Sequence, residues 1–388
     1  MNLQQEQELL DQLLNFSIPV IPDNTRFWMI RTQKGYFYDE FLAKKYVALA
    51  WNNIDQNTDF SELSKERLKD DIMLKYPEIS RPSVVINKCI NFIHEVKEND
   101  ILVIPNKGSR YITFAFAGEY FEDSSKTEAL ECTVIKRIKN NDVDIHDVSC
   151  PYKKRRRIQL LRTVKSENLN YALYRAISNY HGISNFDTYG NQILNTLYNY
   201  YCFKGTAVLV YNICKTDPIK PRELAGLLYA NTECLSMITD ENYISTQMSL
   251  NSPGEAVYTL EQIYTFAKEN WGILFGLLVF LGGGSALSFH VPGIIDIVKN
   301  IINAPSEIKM KKMEAEEKEL AIISKRIEVY EKLKSSGIDP KKIQQPLSTL
   351  NANTQSLKAE PITLGDDSSI PPSEAEEQLL FDLENEQQ

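Results

Sequence analysis

The sequence predicts an α+β protein with a small β-barrel and helices, a small α/β domain, an apolar membrane-like segment, a charged helix and a disordered acidic tail. Short β-branched and aromatic runs cluster before residue 165, helical spacing dominates after it, and residues 270–295 contain no charged side chain. The predicted boundaries are an amino-terminal helix at 1–24, the barrel at 25–165, the α/β domain at 166–265, the apolar segment with an amphipathic helix at 266–304, the charged helix at 305–336 and the tail at 337–388.

Composition bounds the class of protein. The 388 residues, 43% hydrophobic and 24% charged, fit a globular chain of about two or three domains. The net charge of -9 comes from the carboxyl-terminal tail, because nine acids and no Lys or Arg follow Lys358. Six cysteines without a C-x-x-C pair fit neither a disulfide scaffold nor a zinc site. We expect a cytoplasmic protein, without secretion signal, metal, cofactor or catalytic residues.

The predicted barrel rests on five short runs of β-branched and aromatic residues bounded by Gly, Pro, Asn and Asp. Two helical segments interrupt them. Five strands with only two helices fit a small barrel better than a doubly wound sheet. The predicted strands are 27–31, 47–51, 101–105, 111–118 and 132–138.

The strongest local charge signal is PYKKRRRIQLLRTVK at 151–165, which contains no acid. In a body that is neutral on average, such clustering produces a positive potential that can hold a phosphate backbone. The alternative is a face that contacts only solvent or anionic lipid. The predicted nucleic-acid-binding residues are Lys153, Lys154, Arg155, Arg156, Arg157 and Arg162.

Aromatic residues accumulate in the predicted barrel beside these cations. Aromatic rings and guanidinium groups together are what a pocket for an unstacked base requires. Trp28 and Trp51, each in an apolar run, are expected in the core instead. The predicted base pocket consists of Tyr36, Tyr38, Phe114, Phe116 and Tyr120.

Motifs in residues 25–165 resemble a known module. They are W-x-I-R at 28–31, A-W at 50–51 where the family has G-W, N-D-I-L-V-I-P at 99–105, G-E-Y at 118–120 and R-I-Q-L-L at 157–161, which lacks the tryptophan that ends the family's last strand. Together they resemble the PUA/EVE-like module found in front of restriction endonucleases of the Mrr type. The resemblance implies a PUA-like barrel that binds RNA or modified bases in DNA. It covers under half of the chain.

The run WGILFGLLVFL at 271–281 is apolar throughout. Three glycines interrupt it after eleven residues, whereas a membrane span needs about 20. Three arrangements are open: a spanning helix that includes the glycines, a re-entrant hairpin, or a buried helix in a water-soluble core. Because an amphipathic stretch and several lysines follow, we predict association with a membrane.

The function that these features favour is nucleic-acid sensing, with DNA or RNA as the partner, by a protein tethered to a membrane segment and acting in antiviral or restriction-type bacterial defence. The alternative is a non-enzymatic adaptor. Its tail would dock into a protein partner through Leu379, Leu380, Phe381 and Leu383, and the charged helix would serve self-association into a homo-oligomer. A partner-dependent nuclease subunit ranks third, because no D-(x)n-E-x-K arrangement follows the barrel.

Overall fold

The computed structural model describes residues 3–140, 149–179, 182–249, 254–261, 271–281, 294–311, 317–362 and 364. The α-helices are α1 (Leu3–Leu14), α2 (Tyr38–Lys44), α3 (Glu62–Lys75), α4 (Pro82–Ile90), α5 (Glu128–Lys139), α6 (Tyr171–Asn179), α7 (Gly190–Leu197), α8 (Pro221–Leu235), α9 (Trp271–Leu281), α10 (Ile294–Lys311), α11 (Glu317–Ser335) and α12 (Pro340–Ser356). The strands are β1 (Phe27–Arg31), β2 (Tyr46–Leu49), β3 (Ile101–Pro105), β4 (Tyr111–Glu122), β5 (Lys154–Lys165), β6 (Gly182–Asn185), β7 (Tyr200–Phe203), β8 (Thr206–Ile213), β9 (Ile244–Ser249), β10 (Gly254–Leu260) and β11 (Ala359–Glu360).

Contacts divide the chain into two compact units. The six-stranded unit comprises residues 24–193, and the five-stranded unit comprises residues 3–23 together with 194–362. The division between them falls inside α7. Each unit has its own sheet and its own hydrophobic core.

The six-stranded unit contains a curled half-barrel rather than the closed barrel that the sequence predicted. Its strand order is β2-β5-β4-β3-β1-β6, so β2 and β6 lie at the two edges. β1 and β3 pair in parallel and the other neighbours are antiparallel. The core on one side of this sheet holds Trp28, Ile30, Leu102 and Phe92, all at most 1% exposed.

The fifth predicted strand, at 132–138, was wrong. These residues belong to helix α5, whose Thr127 side chain accepts a hydrogen bond from the Leu130 backbone N–H. Acids occupy the first turn and three cations the last turn, so the side chains match the helix dipole at both ends. The cap and the charges at the two ends favour a helix more than the β-branched residues Thr133 and Val134 favour a strand.

The two ends of the long β4–β5 hairpin are far apart. Tyr111 pairs with Lys165 at one end, and Glu122 pairs with Lys154 at the other. Eleven residues along an extended strand span roughly 35 Å. The parallel pairing of β1 with β3 places the carboxyl ends of both strands at the Tyr111 end of the hairpin.

The five-stranded unit buries residues 273–281, which corrects the predicted membrane-like character of the run at 271–281. Helix α9 contacts α1, α8, α11 and α12. None of the helices in the described ranges combines the length and the hydropathy that a membrane span requires. Each large apolar side chain buried here contributes about 1.5–3 kcal/mol relative to exposure in water. The α9 side chains that are at most 5% exposed are Ile273, Leu274, Phe275, Leu277, Leu278, Val279, Phe280 and Leu281.

The sheet of this unit has the order β11-β8-β10-β9, and β7 also pairs with β8. The expected disorder from residue 337 is wrong for residues 340–356, which form α12. Asp339 caps this helix by accepting a hydrogen bond from the Lys341 backbone N–H, and Ile343, Leu347 and Leu350 are buried. The predicted docking residues Leu379, Leu380, Phe381 and Leu383 lie outside the described residues.

Candidate nucleic-acid interface

The fold itself uses most of the predicted cationic segment. Lys154 is fully buried, and its Nζ donates hydrogen bonds to the carbonyl oxygens of Trp51 (2.6 Å) and Ile54 (2.8 Å). Desolvation by burial lowers the pKa of this lysine. Lys153 forms ion pairs with Asp55 at 2.9 Å and Glu122 at 3.0 Å. The Lys154 ammonium is thus enclosed by the fold, whereas the Lys153 side chain is 22% exposed and is neutralised by two carboxylates.

Arg156 is 4% exposed and binds three backbone carbonyls of the fold. Its Nε donates to Phe92 at 3.1 Å, its Nη2 to Ile93 at 3.2 Å and its Nη1 to Gly118 at 2.9 Å. The first two carbonyls lie in the π-helical turn Asn91–Glu95 that follows α4. Carbonyls at a helix end have no partner within the helix, so this guanidinium completes the end of α4.

Arg155 is also internal, at 9% exposure. It donates hydrogen bonds to the carbonyls of Tyr152 (3.0 Å) and Cys150 (3.2 Å), pairs with Asp123 at 3.0 Å, and stacks on the Tyr46 ring with its Cζ 4.4 Å from the ring centroid. The prediction that Lys154, Arg155 and Arg156 bind phosphate is therefore wrong. All three side chains are buried, and their N–H groups donate hydrogen bonds to acceptors of the fold itself.

Two predicted cations keep some exposure. The Arg157 side chain is 57% exposed and stacks on Phe121, with its Cζ 4.5 Å from the ring centroid. Arg162, opposite Phe114 on the β4–β5 ladder, is half-buried.

The predicted base pocket does not exist as one group of residues. Phe114 and Tyr38 are at most 3% exposed, and burial raises the pKa of Tyr38. The Tyr38 hydroxyl lies 2.6 Å from that of Thr113. Phe116 and Tyr120 are half-buried, and the Tyr120 hydroxyl donates to Glu122 at 2.7 Å.

Tyr36 is also half-buried, but it follows β1 at the opposite end of the β4–β5 hairpin from Tyr120. Base stacking therefore stays a prediction for Tyr36, whereas Tyr38 and Phe114 are too deeply buried to stack on a base.

A second group of cations lies at the end of the sheet where β1 and β3 finish. Two turns carry three of them, and β5 contributes the fourth at its last residue. All four are exposed. The nearest acid in sequence is Glu167, whose carboxylate lies 4.0 Å from the Lys165 ammonium. We name this group the cationic edge: Lys34, Lys107, Arg110 and Lys165.

Close packing of the two turns brings these cations together. A Cβ added to Gly35 would lie 2.5 Å from the backbone carbon of Asn106 and 2.6 Å from the Lys107 nitrogen. Gly35 has a φ of 85°, and the residues before it, Gln33 and Lys34, also have positive φ (49° and 57°). Such backbone conformations cost about 1 kcal/mol or more for residues with a side chain, so the surrounding contacts must hold the turn in place.

The hairpin that carries Lys107 and Arg110 is fixed by backbone pairing. The Asn106 N–H donates to the Tyr111 carbonyl at 2.9 Å, and the Asn106 side-chain oxygen accepts from the Tyr111 N–H at 3.0 Å. The Ser166 N–H donates to the Arg110 carbonyl at 2.8 Å, which holds the end of β5 beside the hairpin. Lys165 consequently lies next to Tyr111.

Two half-buried aromatic rings, Tyr36 and Tyr111, pack against the core at this same edge. Half-exposed rings beside ammonium and guanidinium groups can stack unpaired bases while the cations contact phosphates. Except for Tyr36, the sequence reasoning missed this group. The available signals were K-G at 34–35 and K-G-S-R at 107–110, two turns with cations beside glycine.

No group of three or more His, Cys, Asp or Glu side chains in the described ranges is arranged to hold a metal ion. Comparison of the chain with models of protein families, with curated proteins and with solved structures gave no match. The resemblance to PUA/EVE-like modules therefore stays a prediction.

Proposed function

We propose that the six-stranded unit binds single-stranded nucleic acid at the cationic edge. The observation that carries the proposal is the packing of Gly35 on Asn106 and Lys107, which gathers exposed cations from separate parts of the chain at one end of the sheet. Nucleic-acid affinity is dominated by such clusters, since each contacted phosphate releases bound counterions.

Single-stranded rather than duplex nucleic acid fits the aromatic residues. A base can stack on Tyr36 or Tyr111 only when it is unpaired, and each such contact contributes about 1–3 kcal/mol. Both rings keep exposed surface beside the cations. The same edge has no described cluster of carboxylates that could hold a catalytic metal, and we propose binding rather than cleavage.

The proposal omits two features of the predicted function. Membrane tethering is withdrawn, because α9 is packed inside the five-stranded unit. The adaptor alternative depends on 379–383, which lie outside the described residues. A role in bacterial defence stays a prediction from the resemblance alone.

The test is the salt dependence of binding. Affinity for fluorescent single-stranded DNA and RNA is measured between 50 and 200 mM salt for the wild type and for the triple variant Lys34→Ala/Lys107→Ala/Lys165→Ala. Each lost phosphate contact lowers the slope of log affinity against log salt by about 0.7. We expect the slope of the triple variant to be shallower by roughly 2.

A matched variant carries Lys75→Ala, Lys136→Ala and Lys139→Ala, three exposed lysines on α3 and α5. It removes the same charge from the same unit, so it controls for net charge. The proposal is supported if only the cationic-edge variant weakens binding and flattens the slope. It is contradicted if the wild type does not bind at 50 mM salt, or if both triple variants lose the same affinity.

A further inference from the structure

Arg31, the last residue of β1, is a buried cation at 9% exposure. Within the described part of the chain, its Nε is buried with no hydrogen-bond partner. No described carboxylate forms an ion pair with it. Burial lowers the pKa of this guanidinium, and the interaction with Tyr174 on α6 acts in the opposite direction. A lone buried charge is costly, whereas other buried cations of this unit, Lys154 and Arg156, bind backbone carbonyls.

A second buried polar group without a partner lies at the same end of the sheet. The Ser109 hydroxyl is buried and finds no hydrogen-bond partner among the residues that the structure describes, and its backbone has a φ of 58°. Met29 pairs with Val103 in the parallel β1–β3 ladder, so Arg31 lies level with Pro105, four residues before Ser109. Unsatisfied buried groups at strand ends commonly mark where a ligand supplies the missing partner.

We propose that Arg31 binds a phosphate group at the carboxyl ends of β1 and β3, with the Ser109 hydroxyl as a second donor. A guanidinium offers two parallel N–H groups to phosphate oxygens, and an anion removes the cost of the buried charge. The inference rests on the proposed function for the source of the phosphate, which is a terminal phosphate of the bound nucleic acid. The exposed cations of the cationic edge would attract that strand.

Two variants separate this role from a structural one. Arg31→Met keeps the apolar stem and removes the charge, and Arg31→Lys keeps the charge and removes the paired N–H geometry. Because the guanidinium has no partner in the described residues, Arg31→Met should be at least as stable as the wild type without phosphate. Arg175→Met, an exposed arginine on α6, is the matched control.

The experiment measures the thermal midpoint of the full chain with increasing inorganic phosphate, and affinity for one oligonucleotide with and without a 5′- or 3′-phosphate. We expect phosphate to raise the wild-type midpoint by at least about 2 °C. One terminal phosphate should improve wild-type affinity about tenfold. Arg31→Met should lose both effects, Arg31→Lys should weaken both, and Arg175→Met should keep both.

The proposal is overturned if phosphate leaves the wild-type midpoint unchanged, or if Arg31→Met responds as the wild type does. Failure of the proposed function looks different. In that case phosphate still raises the midpoint through Arg31, but neither oligonucleotide binds. Conversely, an oligonucleotide that binds equally well with and without terminal phosphates supports the cationic edge and contradicts a phosphate site at Arg31.

Discussion

The indole N–H of Trp28 donates a 3.0 Å hydrogen bond to the carboxylate of Asp100, and both residues are almost fully buried. Asp100 also accepts from the backbone N–H groups of Arg26 (3.1 Å) and Lys97 (2.8 Å). One carboxylate thus joins the start of β1 to the start of β3. Since these strands are parallel and their other ends form the cationic edge, this contact helps to set the register of the site.

Asp100→Ala should lower the free energy of unfolding of the six-stranded unit by about 3 kcal/mol. The change removes three hydrogen bonds to a charged acceptor and leaves the buried indole N–H without a partner. Denaturant unfolding followed by tryptophan fluorescence measures the loss. Asp71→Ala, an exposed acid on α3, is the control and should change stability by less than about 0.5 kcal/mol. Equal stability of the two variants would contradict the structural role of Asp100.

Arg156→Met should lower the free energy of unfolding by about 3 kcal/mol while leaving nucleic-acid affinity within about twofold of the wild type. The reason is that its three N–H groups bind the carbonyls of Phe92, Ile93 and Gly118, which become unsatisfied. Denaturation and binding assays on the same preparation check both parts. The exposed Arg137→Met on α5 controls for lost charge. If Arg156→Met were as stable as the wild type but no longer bound nucleic acid, Arg156 would have to contact nucleic acid itself.

Gly35→Ala should destabilise the six-stranded unit more than Gly108→Ala does. Both glycines have positive φ, 85° and 82°, so both substitutions carry a backbone penalty of about 1 kcal/mol. Only the Cβ at position 35 meets neighbouring atoms, at 2.5 Å from Asn106, whereas position 108 has open space within 4 Å. The difference in thermal midpoint isolates the close approach of the two turns. Gly35→Ala should also weaken nucleic-acid binding. Equal thermal midpoints for Gly35→Ala and Gly108→Ala would contradict the close packing of the two turns.

The five-stranded unit should lose stability in acid through Glu223. Hydrogen bonds from the Lys215 ammonium, then from the Ser356 hydroxyl and the Lys220 backbone, lower the pKa of Glu223 from 4.5 to about 2. A carboxyl with a lowered pKa in the folded state stabilises the fold above its unfolded pKa, and this contribution disappears as the pH falls from about 4.5 to about 2.

Unfolding of wild type, Glu223→Gln and Glu233→Gln between pH 6 and pH 2 checks this dependence. The stability difference between wild type and Glu223→Gln should shrink as the pH falls through that window. Glu233 lies exposed on the same helix α8, so its variant should follow the wild type. A difference that stays constant down to pH 2 would show that the Lys215–Glu223 pair does not depend on ionisation of the carboxyl.

The sequence predicted much of the local structure of the six-stranded unit. Short β-branched and aromatic runs located β1, β2, β3 and β4, because these strands are bounded by turn residues. Only the family resemblance suggested a strand at 157–161, which lies inside β5. Strand pairing was out of reach: whether a sheet closes depends on long-range contacts such as β1 with β6, which no local pattern encodes. The strand predicted at 132–138 failed because composition was weighed above the helix-end signals.

The site prediction failed at β5 for a physical reason. A run of cations in sequence has the same appearance whether its side chains meet phosphates or backbone carbonyls. Lys154 donates to the carbonyl oxygen of Trp51 and Arg156 to that of Phe92, and both acceptors lie far from β5 in the sequence. The prediction of a membrane-like segment at 271–281 failed for a similar reason. Helix α9 is as apolar as a membrane helix, but other helices of the chain surround it. Hydropathy measures transfer out of water and does not distinguish lipid from a protein core.

Photocrosslinking of a single-stranded oligonucleotide to the full chain, followed by mapping of the crosslinked peptides, shows directly whether nucleic acid binds at the cationic edge. The two ends of the β4–β5 hairpin are far enough apart for the peptides to be assigned to one or the other. We expect adducts at Tyr36 and Tyr111 or within residues 32–36 and 106–111, and their loss in the Lys34→Ala/Lys107→Ala/Lys165→Ala variant. Adducts confined to residues 118–123 and 153–157 would contradict binding at the cationic edge.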